Sequence, residues 1–146
     1  MRAIRALWGA SHPGPSVVVT ALALALGLAA GLEPWRLAVL VASVLFGQLS
    51  IGISNDAIDR ERDRAVGRTD KPLVRGEVSN RSAWIAASGS VVIALALSAV
   101  LGWGMLLAHA VTIVSAWSYN LGLKSSPLSV VPFLVSFGLF PSLATL

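Results

Sequence analysis

Five apolar runs, each about long enough to cross roughly 30 Å of hydrocarbon, constrain this chain more than anything else in it. They fall at Gly14–Leu32, Arg36–Ser54, Ser82–Leu101, Gly104–Leu121 and Pro127–Leu146. Only 12% of the residues are charged, about half of what a soluble domain of this length uses to cover its surface. Solvation therefore has to come from lipid. The expected fold is all-α and integral to the membrane, a single domain over residues 1–146 with about five transmembrane helices. Turn chemistry separates the runs: "GLEPWR" around Pro34, "GWG" at Gly102–Gly104 and "KSSP" at Lys124–Pro127. Arg2 and Arg5 before the first run look like the start of a signal peptide, but the apolar stretch is as long as a span and more spans follow, so an uncleaved first helix is expected.

Lys and Arg in the loops set the orientation. With the N-terminus in the cytoplasm, Arg2, Arg5, the seven basic residues from Arg60 to Arg81, and Lys124 lie inside, and Arg36 alone lies outside. The net charge of +4 is thus a topology signal. Its residues are not arrayed along a helix or interleaved with aromatics, so nucleic acid is not an expected partner. Trp8, Trp35, Trp84, Trp103 and Trp117 all fall near proposed span ends, where indole favours the headgroup layer. Gly27 and Gly31 stand at small-xxx-small spacing, a pattern that suits close helix packing in lipid. With no cysteine, the chain has no disulfide, thiolate ligand or thiol nucleophile.

Against this background "SNDAIDRERDRAVGRTDKPLVRGEVSNR", Ser54 to Arg81, concentrates the charge. Asp56, Asp59 and Asp63 are spaced by three and four residues, so a helix places their carboxylates within about 60° of one another and turns Glu61 to the opposite side. Three like charges on one face repel unless a cation compensates. Oxygen-only ligands suit magnesium, which is usually held by a few carboxylates together with substrate phosphates. His12 and His109 are too far apart in sequence for zinc-like spacing. Arg68, Lys71 and Arg75 follow the acids and can converge on phosphate oxygens from a loop.

A second reading makes the segment a solvated helix end in which Arg60, Arg62 and Arg64 pair with the acids, the latter two also meeting lipid headgroups. Favouring the site is the depth at which polarity begins. Gln48, Ser50, Ser54 and Asn55 lie inside the apparent span, and polar groups there usually face a cavity.

The stretch "NDAIDRERDRAVGRTDKPLVRGEVS" resembles the first aspartate-rich motif of the UbiA superfamily of intramembrane prenyltransferases. The pattern N-D-x-x-D-x-x-x-D is met by Asn55, Asp56, Asp59 and Asp63, and the following R-P-L-x-x-G-x-[IV]-S by Lys71, Pro72, Leu73, Gly76, Val78 and Ser79. Lys71 stands where arginine is more usual, which keeps a charge for phosphate but loses the bidentate fork. "YNLGLKSSPLS", from Tyr119, resembles the family's stretch in which a tyrosine and a basic residue, here Lys124, approach the cavity.

The resemblance implies half of a nine-helix bundle around a cavity open to lipid. Asp56, Asp59 and Asp63 would be its catalytic, magnesium-binding acids, and Asn55, Arg68, Lys71, Arg75, Tyr119 and Lys124 its contacts to a prenyl diphosphate. A lipophilic acceptor, aromatic or otherwise, would receive the prenyl group. Family members carry a second aspartate-rich motif, but no acidic residue follows Glu77 here. The expectation is therefore an N-terminal half, with the C-terminal half missing or supplied by a second polypeptide. Two other functions were weighed. A CDP-alcohol phosphotransferase needs D-x-x-D-G-x-x-A-R, whereas Arg60 follows Asp59. A non-enzymatic membrane subunit or small transporter would use the acids for a cation path or for solvation.

Overall fold

A computed structural model describes residues Arg2–Leu146. They are helical throughout: α1 (Arg2–Ala10), α2 (Pro13–Ala29), α3 (Pro34–Ala65), α4 (Asn80–Leu101), α5 (Trp103–Leu121) and α6 (Val131–Leu139), with 3₁₀ turns at Leu123–Ser125 and Phe140–Ala144. Local chemistry sets the boundaries. Proline opens α2, α3 and α6, where its missing N–H has no intrahelical partner to lose. Ser79 caps α4 by accepting a hydrogen bond from the Ser82 amide at 3.0 Å. Helices α2 and α3 close alike, on Gly31 and Gly67 at positive φ. Leu32 and Arg68 then donate back to the carbonyls of Gly27 and Asp63, the six-to-one bond of a Schellman closure.

α3 and α4 are each long and apolar enough to cross a membrane. A third candidate is α1 with α2, bent by 72° at their break. The expected second span is longer than its apolar run. α3 has 32 residues, about 48 Å, and carries the aspartate motif as a continuation of the helix. α5 is diluted by His109, Thr112, Tyr119 and Asn120, all of which line an interior cavity. The expected fifth run is not one continuous helix: a turn precedes the nine residues of α6, and a 3₁₀ turn follows. Pro141 explains the second break, since it has no amide to donate and its ring clashes with the carbonyl four residues back.

α3 is the central helix. α4 packs against it through Ala83, Ala87, Ser90, Ala94 and Ser98, small residues three or four apart and all buried, while Ile85, Val92 and Val100 face outward. One apolar cluster joins Leu40 and Val44 of α3 to Leu101, Met105, Phe140 and Leu143. The other, at the aspartate end, joins Ile53 and Ala57 to Ala6, Ala10, Leu73 and Val78.

Two of the tryptophans near span ends pack on each other. Trp84 and Trp117 meet edge to face at 5.9 Å, and Trp117 donates to Ser50 Oγ at 3.0 Å. Trp8, Trp35 and Trp103 are exposed. The Gly27 and Gly31 pair divides in the same way. A side chain at Gly27 would meet Leu37 at 2.6 Å, so that position is a true close contact, whereas Gly31 has nothing nearby.

Candidate functional site

The site begins with a glycine. The break between α1 and α2 rests on Gly52 of α3, where a Cβ would come within 2.2 Å of the Ser11 carbonyl oxygen. Only a residue without a side chain permits that approach. His12 follows in a left-handed conformation, φ 55°, and places Nε2 at 2.8 Å from Asp56 Oδ1, one helical turn beyond Gly52. Lys71 reaches the same oxygen from the loop, with Nζ also 3.4 Å from His12 Nε2. Asp56 Oδ2 is buried and has no hydrogen-bond partner.

One turn on, Asp59 receives Lys124 Nζ on both oxygens, at 2.6 and 2.7 Å, and Arg62 at 2.9 Å. Lys124 also donates to Asn55 Oδ1 at 3.1 Å. Asn120 fixes the end of α5 by donating to the Ile51 carbonyl at 2.9 Å and to Ser54 Oγ at 3.1 Å. Asp63 is buried a further turn along the same face, while Glu61 is exposed and takes Arg60 and Arg64. Of the three arginines within the motif, then, one alone pairs with a motif aspartate.

The basic residues of the loop divide. Arg68 and Lys71 line one depression of about 310 Å³ beside His12. Arg68 is forked onto Asp70, both bonds 2.8 Å, and holds that carboxyl down at about 2 through its hydrogen bonds and charge; Asp70 in turn raises the Arg68 guanidinium. Arg75 lies apart from this depression. It is forked onto Glu77 at 2.7 and 3.0 Å and donates to the carbonyls of Thr69 and Asp70, so it braces the loop, and the same bonds lower Glu77.

A cavity of about 360 Å³ runs between α2, α3, α5 and α6, reaching Asn55 and His12 beside the aspartate row. His12, Asn55 and Tyr119 belong to its wall at the polar end, and Val19, Val44, Ile113, Phe137 and Phe140 make the interior apolar. Tyr119 packs edge to face on Phe133 at 5.1 Å.

No three acids and histidines among the described residues converge on a single point. On one helix, Asp56 and Asp63 are separated by about 10 Å of rise. A row rather than a cage still suits magnesium, which takes one or two carboxylates and completes its shell with water and substrate phosphate. The donors are hard oxygens, and the unpartnered Oδ2 of Asp56 is the kind of buried atom such an ion would satisfy.

Of the residues predicted from sequence, Asp56 and Lys71 meet in one bonded group with His12, Asn55, Asp59 and Lys124 meet in a second one turn along α3, and Tyr119 lines the adjoining cavity. Asp63 continues the row, Arg68 borders it, and Arg75 is turned to the loop. His12 is a residue of the site that sequence reasoning did not place there. Its signal in the sequence was its place before Pro13, which bars the ordinary helical backbone and forces a break there. His109 is 4% exposed and lies 2.8 Å from Ser98 Oγ through Nδ1.

No curated protein and no solved structure matches the chain significantly. The model of the UbiA prenyltransferase family matches residues 16–146, which include the aspartate row, its lysines and the whole cavity wall from Ser16 onward. By that match over nearly its full length, this integral membrane chain belongs to the UbiA prenyltransferase family.

Proposed function

We propose that the chain binds a prenyl diphosphate with magnesium at the Asp56–Asp59–Asp63 row and directs the prenyl tail into the cavity, for transfer to an aromatic or other lipophilic acceptor. The observation that carries this reading is a row of three buried carboxylates, each a helical turn from the next, whose bonded partners His12 and Asn55 line the polar end of an apolar cavity: His12 pairs with Asp56, and Lys124 joins Asn55 to Asp59. When bound, magnesium supplies positive charge to the diphosphate oxygens as they take up electrons from the breaking C–O bond.

The chain's own residues do the rest. Asp56, Asp59 and Asp63 provide the ion's carboxylate oxygens. Lys71 and Lys124 neutralise Asp56 and Asp59 until the ion and diphosphate arrive, and then turn to phosphate oxygens with Asn55, Arg68 and the Tyr119 hydroxyl; Arg75 holds the loop that carries two of them. Val19, Val44, Phe137 and Phe140 exclude water from the allylic carbon, whose developing positive charge water would otherwise quench.

The proposed arrangement places the N-terminus and the 55–81 segment in the cytoplasm, with five crossings forming half of a nine-helix bundle. Because no Asp or Glu follows Glu77, the second carboxylate cluster used by the family has to come from another segment or a second polypeptide. The test uses the purified chain in lipid nanodiscs with magnesium and a labelled prenyl diphosphate. Magnesium-dependent binding that is lost in Asp56→Asn and Asp59→Asn is expected, with little transfer to any acceptor. Unchanged binding in both variants would refute the site, and rapid transfer by the chain alone would refute the need for further carboxylates.

A further inference from the structure

His109 lies in the cavity wall away from the polar end where His12 and Tyr119, the other ionisable side chains of that wall among the described residues, stand. Its protonation pattern follows from a neighbour. Ser98 Oγ lies 2.8 Å from the Ala94 carbonyl oxygen and 2.8 Å from His109 Nδ1. A hydroxyl has one hydrogen, and a carbonyl only accepts. If the hydrogen went to Nδ1, two oxygens would face each other at 2.8 Å in a buried, apolar setting with nothing between them, a costly contact. The hydrogen therefore goes to Ala94, and Nδ1 must carry its own proton to donate to Ser98. In a neutral imidazole that leaves Nε2 with a bare lone pair.

Nε2 has no hydrogen-bond partner among the described residues, since the only side-chain bond of His109 is through Nδ1. It lies over Gly47, where even a Cβ would press to 2.8 Å. A serine on one side and a missing side chain on the other thus hold an imidazole with an open acceptor in a wall otherwise built of Val44, Ile113 and Phe140. An acceptor that borders an apolar cavity without a donor is unfavourable unless something in the cavity supplies one.

We propose that His109 Nε2 accepts a hydrogen bond from a hydroxyl on the lipophilic acceptor, making it a specificity-determining residue that selects hydroxylated acceptors over their ethers. This rests on the reading that the cavity receives the acceptor.

Two measurements on the full chain in nanodiscs test it. Nitrogen-15 NMR of the two histidines, assigned with His12→Gln, should show His109 protonated on Nδ1; protonation on Nε2 would overturn the proposal. In binding assays, 2-naphthol should bind about fivefold tighter than its methyl ether, and the preference should vanish in His109→Phe and also in Gly47→Ala, which keeps the imidazole but crowds its nitrogen. Should the phenylalanine variant fail to fold, the alanine variant decides. Equal affinity in the unaltered chain, or a preference that survives Gly47→Ala, would overturn the role of His109 alone. Failure of both compounds to bind would overturn the acceptor-cavity reading and this inference with it.

Discussion

Lys71 and Asp56 form a buried ion pair between a loop and a transmembrane helix, with His12 on the same carboxylate oxygen and the other oxygen unpartnered. Breaking such a pair from one side strands a charge. Lys71→Ala should lower stability by about 3 kcal/mol, measured by thermal unfolding in detergent. Magnesium should restore more of the Tm in this variant than it adds to the unaltered chain, because the bare carboxylate then has room for the ion.

Lys124 bridges Asp59 and Asn55 from beyond the end of α5. If it passes to phosphate when substrate binds, Lys124→Ala should weaken magnesium-dependent binding of inorganic pyrophosphate by about tenfold or more. Calorimetric titration measures this directly. An unaltered affinity would make Lys124 only a clamp between helices.

Gly52 and Gly89 offer a paired test of packing. At Gly52 a methyl group would meet the Ser11 backbone at 2.2 Å, and at Gly89 it would meet nothing within 4 Å. Gly52→Ala should cost about 2 kcal/mol or more and weaken pyrophosphate binding, since His12 is lifted from Asp56. Gly89→Ala should stabilise α4 by about 0.5 kcal/mol and leave binding intact. Thermal unfolding and titration of both variants check the contrast.

The Arg68–Asp70 fork makes a prediction about acid. A carboxyl whose pKa is lowered on folding stabilises the folded chain above its ordinary value, near 4, and loses that contribution as pH falls through the folded value. With Asp70 held at about 2, the Arg68 Hε resonance should stay unchanged from pH 7 to about 4 and shift only below that, with its midpoint near 2. In Asp70→Asn the shift should be absent.

Sequence alone determined the helical, lipid-embedded class and the acidic face, because both depend on short-range regularities. A bilayer fixes the length of an apolar run, and the helical repeat fixes which of Asp56, Asp59, Glu61 and Asp63 share a side. The resemblance of "YNLGLKSSPLS" to the family's pattern also pointed Tyr119 to the cavity that it lines. The partners of each charge were not legible. Arg68 and Arg75 both follow the acids in the same loop, yet its turns set one beside His12 and spend the other on Glu77. His12 lies 44 positions from Asp56, and nothing local joins them. Their contact exists because Gly52 lets the α1–α2 break close on α3, and the orientation of His109 likewise depends on Ser98 and Gly47 arriving from two other helices. Tertiary structure decided these relationships because they arise where separate helices approach, and the distance of approach is set by side chains that carry no chemistry of their own.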